Sequence, residues 1–415
     1  MSLTIKSKKT MEFFLPYINS IIDNKNFIKK RIQKNTIKYI YNEIQAAKKH
    51  IGLLYETGQI TQTFHIRKKN DHSLPKILNN KYVVDYIQAY IKTNLLGYSI
   101  IQVNLFGHDI KLFFSLFNKE DEDEYLLGNA FLTNILIWLS IASKHSKSNC
   151  AESLKIYCYM THFKKNLPQN NYDVLSPEHC NSALTTSCTK DGEICIFRKE
   201  EFLKVLIHES FHIFGLDFSS LQYSALKKKI HYIFPVKSDM ELSESYTETW
   251  AAIINSCLCA DNLSKKNNFE DFIEYLDFFI RMEQIFSLFQ MVKILNFMNI
   301  TYENLYENDD ISIAARRYLY KEKTNVFPYY IVKTIFLCNI NSFLEWCKKN
   351  NEKKSNIFNF NKSFPNLESF GELIKTLYNK KSFTKQVKDI GKINKTTLQS
   401  LEFLKTMRMT LCELN

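Results

Sequence analysis

Residues 205–215 read Val-Leu-Ile-His-Glu-Ser-Phe-His-Ile-Phe-Gly, and within them lies His208-Glu209-x-x-His212. On a helix, residues four apart share a face, so His208 and His212 present two imidazoles to one point. Such a pair suits one Zn²⁺. Glu209 is rotated about 100° from His208. It can reach a metal-activated water without being a ligand, which is the place of a general base. The flanking residues Phe202, Val205, Leu206, Ile207, Phe211, Ile213 and Phe214 are apolar on nearly all sides, so the helix must be buried. Burying two histidines and a glutamate is costly unless they are compensated, and a metal is the simplest compensation. The bland alternative is a core helix whose polar groups find hydrogen bonds elsewhere.

A catalytic zinc needs a third protein ligand. Downstream, Glu244-Ser-Tyr-Thr-Glu248 again places two carboxylates four residues apart, followed by the apolar run Trp250 to Ile254. Glu244 is expected to coordinate the metal. Glu248, one turn deeper, is expected to accept the free N–H of a ligating histidine. Tyr246 should point off that face. A second candidate is Asp217, just after Gly215. Gly215 reads as the cap that ends the helix. Asp217 is then expected to support the site from behind its ligands, or to be structural, rather than to bind the metal.

The two motifs together resemble the gluzincin metallopeptidases, of the lethal-factor and thermolysin-like groups. The stretches LIHESFHIFGLDFS and ESYTETWA are also similar to those of HExxH proteins encoded by large DNA viruses. The resemblance covers about half the chain, from near Leu154 to near Tyr330. It implies an α+β, zincin-like fold: an upper lobe with a small mixed sheet and the active helix, and a helical lower lobe. It implies Zn²⁺ held by His208, His212 and Glu244, with Glu209 as general base and a peptide or protein as substrate. Such enzymes add an oxyanion donor, for which Tyr330 and His231 are the leading candidates. Tyr232, Tyr329, Arg316 and Arg317 are others. They also bind peptide along a sheet edge, and Asn181 to Thr185 is either that edge or a plain loop.

The elements that must position these residues follow an order of α, then α+β, then α. Apolar spacing predicts helices over 11–57. A polar link spans Arg67 to Asn80, and two strands flank Gly107-His108-Asp109. An apolar helix is expected over Leu126 to Ala142, and strands at Leu154 to Met160 and Glu193 to Arg198. Helices are expected over 200–214, 242–259, 269–298, 311–321 and 329–343, with more from 367 to 414. The corresponding division is an N-terminal helical extension (1–80), a metallopeptidase core (81–300) and a C-terminal helical region (301–415).

The chain has 415 residues, 9 Gly and 7 Pro, which excludes collagen-like, linker-rich and low-complexity disordered classes and argues against turn-dense all-β sandwiches. Its +12 net charge favours acidic partners. As a nucleic-acid signal that charge is weak, because no zinc-finger or RGG-like pattern accompanies it, and nucleic acid is not an expected partner. The longest apolar run is too short to span a bilayer. The ten cysteines form no CxxC pair and read as reduced thiols, with Cys257 and Cys259 in the core. These features predict a soluble, intracellular protein, placed by the viral resemblance in the cytoplasm of an infected cell. Two rival readings remain: a non-catalytic, zinc-stabilised interaction protein, and a nucleic-acid-associated protease.

Overall fold

The computed structural model describes residues 2–22, 31–67, 74–118, 121, 125–146, 149–266, 268–351, 356–393 and 404–414. The expected link from Arg67 to Asn80 falls partly outside these residues.

Two helices open the chain, α1 (Ile5–Ile21) and α2 (Arg31–Glu56). A strand, β1 (Thr61–Ile66), follows where no strand is expected. It pairs antiparallel with β2 (Gly97–Leu105) after a helix α3 (Asp85–Asn94). The predicted hairpin is present: β2 turns at Phe106-Gly107 into β3 (His108–Leu116), with Val103 opposite Ile110. Helix α4 (Ala130–His145) is buried over most of its length and capped by the Asn129 side chain. Strand β4 (Ser153–Thr161) then pairs parallel with β3.

A three-residue strand, β5 (Ala183–Thr185), lies at the far edge of the sheet, antiparallel to β6 (Asp191–Arg198). The strand order is β1-β2-β3-β4-β6-β5, one mixed open sheet in an α+β fold. Alternation divides its faces. Leu154, Ile156, Cys158, Ile194 and Ile196 join the main helical core, whereas Tyr157, Tyr159, Cys195 and Phe197 pack in a second cluster with Ile87 and Ile91 of α3.

From residue 202 the chain is mostly helical: α5 (Phe202–Ile213), α6 (Ser224–Ile233), α7 (Leu242–Leu263) and α8 (Phe269–Phe297). After α9 (Asp310–Tyr318), a π-helical turn at Phe327–Val332 leads into α10 (Lys333–Cys338). Helices α11 (Ile340–Asn350), α12 (Phe364–Leu377) and α13 (Lys381–Gly391) complete the set. No helix among the described residues is long and apolar enough to cross a membrane.

Two expectations are corrected here. The last helix expected before Leu414 is absent from 404–414, which form a buried strap instead. Its backbone is held by distant side chains: Lys333 donates to the Met409 carbonyl at 2.7 Å, and Glu283 accepts from Leu411 and Cys412 at 3.0 Å. Those partners come from other helices, so local periodicity carries no trace of them. The cysteines are also not all free. Cys150 and Cys188 form a disulfide across a separation of 38 residues, because the segment before β4 and the loop before β6 meet in space. Cys257 and Cys259 are buried in the core as expected.

Candidate metal centre

Helix α5 starts at a sharp turn, where Glu201 has a left-handed backbone (φ 62°). Its carboxylate is fixed by the strap, accepting from the N–H groups of Met409 and Thr410 at 2.6 Å. All twelve residues of the helix are buried between the sheet and α7. The expected glycine cap closes it. Gly215 has φ +66°, and a Cβ there would lie 2.9 Å from the Cys150 sulfur. The turn continues to Asp217.

Helix α7 is polar in sequence yet buried from Leu242 to Asp261, apart from half-buried Glu244. Its hydroxyls make this feasible. Thr247 donates to the Ser243 carbonyl at 3.0 Å and Thr249 to the Ser245 carbonyl at 2.7 Å. Tyr246 points away, donating to the Phe358 carbonyl at 2.8 Å.

The two helices bring three donor atoms together. His208 Nε2 and His212 Nε2 are 3.1 Å apart. Glu244 Oε2 lies 3.0 Å from the first and 3.4 Å from the second. Ligand atoms bound at zinc distances in a tetrahedral site stand roughly 3.3 Å from one another, so these spacings fit. His208, His212 and Glu244 could thus hold a metal ion.

The remaining hydrogen bonds support the same fit. His212 Nδ1 is 2.7 Å from Asp217 Oδ2, which also accepts from the Ser219 backbone. His208 Nδ1 stands 3.0 Å from Glu248 Oε1, an ion-pair distance at an angle short of a straight hydrogen bond. If both Nδ1 atoms carry protons toward carboxylates, both Nε2 lone pairs face the same space. Glu244 Oε2 faces it too and is buried without a well-formed hydrogen bond. Three lone-pair donors at such distances repel unless a metal ion or a shared proton lies among them.

Electrostatics point the same way. Burial acts to lower the pKa of His208, but Glu248 and Glu244 outweigh it and carry it up to about 9. Burial likewise opposes a charge on His212, yet Glu244 and Asp217 raise its pKa well above the usual value. For Glu244, burial is overcome by His212 and His208, which hold its carboxyl well below the usual range. The site favours positive charge at its centre.

Glu209 is buried, and burial raises its pKa. It lines a cavity of about 30 Å³ beside His208, together with Tyr329, Ser182 and Ala183. That is room for a water molecule. Asn181 and Ala183 bring the sheet edge to this wall, so β5 is a strand and not the plain loop that was its alternative.

The two leading oxyanion candidates are not at this wall. Tyr330 turns inward and donates to the Met407 carbonyl at 2.6 Å. His231 is exposed on α6 and does not line the cavity. Tyr329 takes the place expected of Tyr330, its ring centroid 5.9 Å from that of His208. Neighbouring residues on a helical turn point in different directions, so only one of the two tyrosines can face the centre.

Lys204 is a functional candidate absent from the sequence reading. It is buried and contacts both oxygens of Glu248. The signal was available: a lysine four residues before His208 on an otherwise apolar helix.

No family model, curated protein or solved structure matches this chain.

Proposed function

We propose that the protein is a zinc-dependent metallopeptidase, with the zincin-like arrangement of an upper sheet-bearing lobe and a lower helical lobe. The observation that carries this reading is the convergence of His208 Nε2, His212 Nε2 and Glu244 Oε2, with Glu209 left off the triangle on the wall of a water-sized cavity. Zinc, when bound, would act as a Lewis acid, polarising the scissile carbonyl and making water acidic enough to attack at neutral pH.

The protein's own groups supply the rest. Glu209 accepts the proton of the attacking water and hands it to the leaving amine. Burial favours the protonated form of its carboxyl, which suits the second transfer. Tyr329 keeps its phenolic proton, because burial pushes its pKa well above the usual value. It can therefore donate to the developing oxyanion. Asp217 and Glu248 orient the two imidazoles. The free edge of β5 offers main-chain pairing to an extended peptide. The test is metal content and peptide-library cleavage by the purified protein. Zinc at about one per chain with metal-dependent cleavage supports the reading, whereas zinc without cleavage leaves a zinc-stabilised interaction protein.

A further inference from the structure

We infer that Lys204 is a positioning residue of the metal centre, the buried counter-ion that holds Glu248 against His208. This inference rests on reading the His208, His212 and Glu244 group as a metal site. Lys204, His208 and His212 recur at four-residue intervals on α5, so they line one face. Glu244 and Glu248 answer them from α7. The facing groups interleave: Lys204 with Glu248, His208 between Glu248 and Glu244, and His212 between Glu244 and Asp217.

The charges explain why a lysine belongs there. A histidine that ligates a metal is neutral. It then gives Glu248 an N–H but no countercharge. A buried carboxylate without a paired cation is costly. The side chains of Lys204 and Glu248 are only 2% and 4% exposed, so water cannot supply the compensation. Lys333 also acts on Glu248, but at longer range, since its ammonium donates to the Met409 carbonyl at 2.7 Å. Lys204 is the ammonium in direct contact. Its contacts with both carboxylate oxygens also fix the direction in which Glu248 faces. Partners of this kind set ligand orientation and basicity at metal sites.

The experiment is a zinc competition titration of the intact 415-residue chain against a chromophoric chelator. Lys204→Met and Lys204→Gln should each weaken zinc binding by about 10- to 100-fold, and Lys204→Arg should restore most of the affinity. The visible spectrum of the cobalt-substituted protein should change in the neutral variants, as it would not if Lys204 only stabilised the fold. Neutral variants that fold and bind zinc as tightly as the wild type overturn the inference. Should the single variants not fold, the double variant Lys204→Met/Glu248→Gln buries no unpaired charge and can be compared with Glu248→Gln alone. Equal affinities are expected, because Lys204 acts through Glu248. A further tenfold loss in the double variant overturns that route. A wild-type protein that takes up no zinc overturns the metal reading itself, which separates the two failures.

Discussion

His208 Nε2 and His212 Nε2 face each other at 3.1 Å, while the opposite edge of each ring meets its own carboxylate, Glu248 for the first and Asp217 for the second. With protons on both Nδ1 atoms, this back-to-front arrangement turns both Nε2 lone pairs toward Glu244. It suits a ligand set, and His208, His212 and Glu244 could hold a metal ion.

Replacing Glu209 with Gln should leave zinc content near that of the wild type and lower peptide hydrolysis by about 10²- to 10⁴-fold, the usual worth of a positioned general base. Metal analysis beside a cleavage assay checks it. Robust turnover in the variant would remove Glu209 from the proton transfers.

The roles of the two outer carboxylates separate by metal affinity. Glu244→Ala removes a donor atom and should abolish tight zinc binding. Asp217→Ala removes only the partner of His212 Nδ1 and should cost about 10- to 100-fold. Chelator competition on both variants decides this. The reverse order would make Asp217 the ligand.

The adjacent tyrosines should behave differently. Tyr329→Phe should reduce kcat by about 10- to 100-fold, a range below that for loss of an oxyanion donor in a preorganised hole, with zinc affinity unchanged. Tyr330→Phe should leave kcat alone and destabilise the protein by about 1–3 kcal/mol, because the buried Met407 carbonyl loses its donor. Denaturant unfolding and steady-state kinetics on the pair provide the comparison.

Glu322 offers a pH test away from the centre. Burial raises its pKa to about 7, outweighing the hydrogen bonds it accepts from the Tyr320 hydroxyl and the Phe327 N–H. The folded protein therefore binds this proton more tightly than the unfolded chain. The resulting stability is fully present below the ordinary glutamate range and is lost as pH rises through about 7. The contribution is at most about 3 kcal/mol. Unfolding free energies at pH values on either side of that window should diverge between the wild type and Glu322→Gln, the variant lacking the slope. Parallel curves would show that Glu322 titrates normally.

Reduction of Cys150–Cys188 by a reductant that does not bind metal should lower stability by about 2–4 kcal/mol, as expected for a loop of this length. Mass spectrometry after alkylation in denaturant, without reduction, should find eight modified cysteines of the ten. Ten modified cysteines would return all of them to the reduced state.

What the sequence determined alone is whatever a short window encodes. Four-residue spacing puts His208 over His212 and Glu244 over Glu248, Gly215 ends the helix, and Gly107 sits in the hairpin turn. Each follows from the geometry of one element, so each was legible before any packing was known. Tertiary structure decided everything that depends on which elements meet. Helix orientation chose Tyr329 over Tyr330 and left His231 on the surface. The meeting of α5 with α7 placed Lys204 against Glu248 across 44 positions of chain. The strap from 404 to 414 is held by Glu201, Glu283 and Lys333, which reach its backbone from distant parts of the chain. Strand β1 has only six residues and is mostly exposed, so it gave no buried alternation to read. Its place is set by pairing with β2. Periodicity reports which way a side chain points from its own element; which group waits there is set by contacts between distant parts of the chain.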